Sequence, residues 1–97
     1  MQKTIGTTPE LIANANPHRT SLAIKNESTG GKTIYIGLME PIGLTTTNAD
    51  YALAPGEGYI WLYKEDGKDI LSPFSVVSSG AGGIIRYREL TDAELVP

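Results

Sequence analysis

Ninety-seven residues with no cysteine and one histidine make a single domain with a thin core, and exclude both a disulfide staple and a structural zinc site. Eleven carboxylates against eight basic side chains leave a net charge of −3, with no basic stripe, which argues against a nucleic-acid partner. No apolar run approaches the ~20 residues of a membrane helix, and the opening MQKTIGTTPELIA lacks a signal-peptide core, so we expect a chain made in the cytoplasm with no membrane partner.

Eleven glycines and six prolines punctuate short apolar runs about every ten residues, the spacing of short strands in two packed layers. The chain therefore reads as all-β: a small antiparallel β-sandwich or jelly-roll-like barrel of about six to eight strands, one domain over residues 1–97. Residues 1–9 are expected to be an N-terminal arm. Segment 10–15, between Pro9 and Pro17, suits either a helical turn or a short strand. From Thr20 to Lys25, Leu22 and Ile24 share one face while Ser21, Ala23 and Lys25 share the other, a half-buried strand. Thr33–Leu38 repeats the pattern with Ile34, Ile36 and Leu38 on one side and Tyr35 on the other. The glycine-bearing link between these two runs predicts a β-hairpin.

Segment 40–50 is polar and holds a proline, so it reads as a loop, and 51–53 as a short strand. Pro55-Gly56-Glu57-Gly58 predicts a turn, since Pro55 presets φ and glycine accepts left-handed geometry. Strands are expected at 59–63, 70–77 and 84–90, with Asp66-Gly67 at a tight hairpin turn and Pro73 at an edge or bend. The tail, 91–97, is short, with Thr91 placed to cap one helical turn through Glu94.

Most chemical motifs dissolve under inspection. Gly31-Lys32-Thr33 imitates the end of a phosphate-binding loop, but Asn26 stands where the first glycine belongs and a β-branched run follows instead of a helix. Asn26-Glu27-Ser28 matches a glycosylation acceptor and reads better as a turn. His18 has no companion histidine, and Arg19 is expected to meet a carboxylate or backbone carbonyls where its strand begins. Glu65, Asp66 and Asp69 are interleaved with lysines and are too few for a calcium loop. Glu40 and Glu57 have no spacing that suggests an acid/base pair. No catalytic, metal or cofactor residue is assigned.

Tyr59, Trp61 and Tyr63 form the strongest local signal. At period 2 they share one strand face, with Ile60 and Leu62 on the other. Three readings stay open: packing against Tyr35 or Tyr87, a protein interface rich in tyrosine and tryptophan, or a platform that stacks on sugar rings. Among functional readings the interface is preferred, and its candidate residues are Tyr59, Trp61, Tyr63, Tyr35, Arg86 and Arg88.

Several pieces come in a recognisable order. Ala15-Asn16-Pro17-His18-Arg19 leads into Ser21-Leu22-Ala23-Ile24, which ends at Asn26. Ile34-Tyr35-Ile36-Gly37, a polar loop, Leu53-Ala54-Pro55-Gly56-Glu57 and Gly83-Ile84-Ile85-Arg86-Tyr87 follow. Over about residues 11–90 the chain resembles the small β-sandwich virion proteins of tailed bacteriophages, which decorate or cement a capsid or serve as minor head or tail components. That resemblance implies no enzyme activity, a place in the virion, a major capsid protein or other virion protein as partner, and a homo-oligomeric state such as a trimer. It gives Asn16, Pro17 and Arg19 a role in starting a strand, and Pro55 and Gly56 a turn. The long loop at 40–50 and the crowded aromatics at 59–63 depart from the pattern.

Overall fold

Alternating burial of large aliphatic and aromatic side chains shapes the chain into strands. A computed structural model describes residues 1–62 and 71–91. Its strands are β1 (Gln2–Ile5), β2 (Glu10–Ala13), β3 (Arg19–Asn26), β4 (Ile34–Gly37), β5 (Tyr51–Leu53), β6 (Gly58–Leu62), β7 (Phe74–Ser78) and β8 (Gly83–Thr91). They form two four-stranded sheets, ordered β1-β8-β3-β6 and β2-β7-β4-β5. The paired strands are antiparallel throughout.

The order has a simple origin. Pairs β4·β5, β3·β6, β2·β7 and β1·β8 are the successive rungs of one long hairpin with its tip at residues 38–50. Contacts β3·β8 and β4·β7 close that hairpin as it rolls into two layers. Among the strands of the described residues, β4 and β5 alone are both consecutive and sheet neighbours; every other step between these strands changes sheet. An eight-stranded double sheet of this order is a jelly roll.

The core lies between the layers. Ile5, Leu22, Ile24, Trp61 and Ile85 come from the first sheet, and Ile34, Ile36, Leu53, Phe74 and Val76 from the second. Burying each such side chain contributes about 1.5–3 kcal/mol relative to exposure.

Three expectations change here. Residues 1–9 are not simply an arm: Ile5 is fully buried opposite Gly83, and residues 2–5 pair with β8. Segment 10–15 resolves as a strand, β2. The link from β3 to β4 is not a hairpin but a corner between sheets. Alternation predicts that both strands bury one face, but the two faces meet across the core rather than side by side. Asn26 holds that corner: its Nδ2 donates to the carbonyls of Lys32 (2.9 Å) and Leu53 (2.7 Å), and its Oδ1 accepts from Ser28 N (2.9 Å). Fully buried, Asn26 is a structural turn residue.

The tip loop folds back over the second sheet. Ser75 Oγ donates to the Met39 carbonyl at 2.6 Å, and Leu44 is buried. Gly37 permits this approach, since a Cβ there would lie 2.7 Å from Leu44 Cδ1. Asp66-Gly67 and the tail after Thr91 lie outside the described residues.

Candidate functional site

The first sheet presents its outer face to solvent. Register places Gly58, Lys25 and Arg86 in one row, Ile60, Ala23 and Arg88 in the next, and Leu62, Ser21 and Leu90 in a third. Leu22, Ile24, Trp61 and Ile85 point into the core, so these rows point away from it. Ser21 and Ala23 on the central strand are short, while the flanking strands carry long side chains. The result is an open groove of ≈ 590 Å³ whose lining includes Ala23, Lys25, Ile60, Arg86 and Arg88.

Ile60 is 60% exposed and Leu62 37%. Arg86 Nε lies 3.0 Å from Glu27 Oε1. Neither Lys25 nor Arg88 makes an ion pair among the described residues. The face thus combines outward aliphatic side chains with three cations.

The aromatic row is corrected. Trp61 is fully buried, with its ring centroid 5.1 Å from Tyr51, 4.7 Å from Tyr59 and 5.2 Å from Phe74. It is neither an interface residue nor a platform for sugars. Both faces of this strand are apolar, so alternation alone does not tell inside from outside, and the larger aromatic surface goes in. No acceptor meets the buried Trp61 Nε1 among the described residues. Tyr59, 41% exposed, sits at the edge of this cluster. Tyr35 pairs with Val77 and Ala52 on the outer side of the other sheet, away from the groove. Tyr63 lies outside the described residues. Of the six interface candidates, Arg86, Arg88 and Tyr59 line the groove.

Ile60, Ala23 and Lys25 are the groove residues that sequence reasoning missed, with Leu62 on the same face beside them. A signal was present in the neighbouring strands. Lys25, Arg86 and Arg88 mark the solvent side of β3 and β8, and pairing carries that side across to Ile60.

The structural residues take up recognisable tasks. His18 N donates to Asn16 Oδ1 at 2.9 Å, and Arg19 N to the Asn16 carbonyl at 3.3 Å, a turn that starts β3 with Pro17 inside it. Arg19 itself is buried. Its Nε lies 2.6 Å from Glu89 Oε2, its other nitrogens donate to the carbonyls of Ser72 and Asn14, and it stands over the Phe74 ring at 5.3 Å. This is the carboxylate-and-carbonyl pairing expected of it. Glu57 N donates to the Ala54 carbonyl at 2.9 Å, with Gly56 at φ +87°. Pro55 then Gly56 is the residue order of a type II turn.

Among the described residues no three His, Cys, Asp or Glu side chains converge on a metal-sized site. Glu65, Asp66 and Asp69 lie outside them. What the outer face offers is apolar burial and charge, the means of holding another surface. Comparison with known proteins gives no relative: no family model, no curated protein and no solved structure matches the chain.

Proposed function

We propose that this chain is a non-enzymatic assembly protein of a tailed-phage virion, a capsid decoration or cement protein that binds the outer shell as a homotrimer through the outer face of its first sheet. One observation carries the binding part: Ile60 and Leu62 stand outward on the same strand, beside a groove floored by Ala23. Outward aliphatic side chains beside a hollow are the kind of surface a partner covers. The resemblance of its order of short segments to small phage virion proteins is what supports the virion part, and the jelly roll suits it, since such double sheets occur in capsid proteins.

Multivalency explains the trimer. A small face gives weak contacts, and repeated attachment to a lattice raises avidity by about 10²–10⁴ where geometry allows. The test is co-sedimentation of the purified chain with phage particles, alongside its molar mass by light scattering. We expect attachment of the native chain and at least about a tenfold loss with Ile60→Asp. Undiminished attachment of Ile60→Asp would overturn the assigned face. A solution monomer would overturn the trimer, and attachment to tails or necks would move the chain from the shell to those parts.

A further inference from the structure

The groove has two unlike walls. On the β6 side stand Ile60 and Leu62, on the β8 side Arg86 and Arg88, with Lys25 rising beside Arg86 at the end where β6 carries Gly58, and Leu90 facing Leu62 across Ser21 at the other. No Asp or Glu occurs in these three rows. Glu27, just past the end of β3, is already engaged by Arg86. A cationic wall on a chain of net charge −3 is a local feature that charge alone would match to an acidic surface.

Width and length narrow the occupant. The walls are one strand spacing to either side of β3, so they stand about 9–10 Å apart. An α-helix with its side chains is about 10–12 Å across and would ride above the Ala23 floor. An extended chain fits, and from Ser21 to Lys25 the outer face of β3, which holds the groove at its Ala23–Lys25 end, runs roughly 13 Å, room for about four or five extended residues. Successive side chains of an extended chain point to opposite sides, and at the middle of the face one side meets Ile60 while the other meets the Arg88 guanidinium.

Resting on the assigned binding face, the geometry points to an extended segment of the partner protein, alternating aliphatic and acidic residues, laid along β3 as the groove's occupant. Its aliphatic side chains pack on Ile60 and Leu62, and its carboxylates reach Arg88 and Arg86. A second copy docked by a two-fold axis through this face is disfavoured: an axis across the strands would lay cationic wall on cationic wall, and one along them would lay it on aliphatic carbon, with no Asp or Glu in these rows to meet it.

Fluorescence anisotropy tests this with a labelled short peptide alternating Val and Glu, against one alternating Val and Lys. The chain is expected to bind the Glu peptide at least about tenfold more tightly, and added salt should weaken that binding. Arg88→Glu should reverse the preference without lowering the melting temperature, and Ala23→Leu should weaken both peptides by filling the floor. Equal binding of the two peptides, or an unchanged preference in Arg88→Glu, overturns the alternating acidic segment. So does a concentration-dependent rise in molar mass that Arg88→Glu abolishes, since a second copy would then fill the groove. Particle attachment separates the two levels of failure. If Ile60→Asp detaches the chain while Arg88→Glu does not, the face stands and the acidic segment falls. If Ile60→Asp still attaches, the face itself falls.

Discussion

Asn26 shows how one side chain can set the path of the backbone. β3 ends there in the first sheet, and β4 begins in the second. At such a corner no ladder satisfies the backbone groups, so a side chain must. Asn26 has two donors and one acceptor, and all three are used. Its own N–H donates to the Glu57 carbonyl, and its carbonyl accepts from Gly56, which binds the Pro55-Gly56 turn to the same corner. Ser28 extends the tie to β8, accepting from Ile84 N at 2.8 Å. Asn26→Ala leaves the Lys32 and Leu53 carbonyls and the Ser28 amide without their partner. At about 1–3 kcal/mol for each unsatisfied buried group, partly relieved by water, we expect a loss of about 3 kcal/mol in urea unfolding. Asn26→Asp separates hydrogen bonding from size, because it keeps the volume but brings no donor. It should cost at least as much as alanine; a cost well below that would show that the donors are not what holds the corner.

At the scale of the strand, β6 carries two opposite predictions side by side. Trp61→Ala removes a fully buried ring from among Tyr51, Tyr59 and Phe74 and should cost about 3–5 kcal/mol, much of the ~5–15 kcal/mol that holds a domain folded. Ile60→Asp, one residue away and outward, should cost under about 1 kcal/mol. Chemical denaturation of the two variants checks the pair, and similar costs would mean that the strand is not oriented as described. This contrast also marks what the sequence makes legible. In β3, Leu22 and Ile24 alternate with Ser21, Ala23 and Lys25, so both the strand and its buried face are readable. In β6 no charge distinguishes the faces, so the strand is readable and its orientation is not. β1 is harder still: Gln2-Lys3-Thr4-Ile5 holds a single apolar residue, and it is pairing with residues 83–86, far along the chain, that makes it a strand. The groove stayed hidden for the same reason. Its walls and floor come from β3, β6 and β8, and nothing local says that these three lie side by side.

The molecule as a whole is a hairpin rolled up, and that shape governs how it must fold. Gln2 faces Arg86 and Ser21 faces Leu90, so most pairings join distant parts of the chain. Among the described residues only β4·β5 joins consecutive strands. Such topologies fold in about milliseconds to seconds, because chain entropy is lost before the contacts that offset it form. The tip loop at 38–50 sits at the head of every rung: closing it shortens the effective separation of β3 from β6, β2 from β7 and β1 from β8. If closure at the tip comes before the outer rungs, a flexible Gly-Ser insertion between Asn48 and Ala49 that doubles the loop adds about 0.6 kcal/mol of closure entropy. That cost should appear in the folding rate, slowed roughly threefold, with the unfolding rate nearly unchanged. Asn48 Oδ1 accepts from Thr45 N and its Nδ2 donates to the Gly43 carbonyl, and an insertion after Asn48 leaves that turn in place. Stopped-flow Trp61 fluorescence reads both rates. Should the insertion instead speed unfolding and leave folding untouched, the β3·β8 and β4·β7 contacts that close the roll would form before the tip, and the chain would fold by collapse of its layers instead of by zipping from the loop.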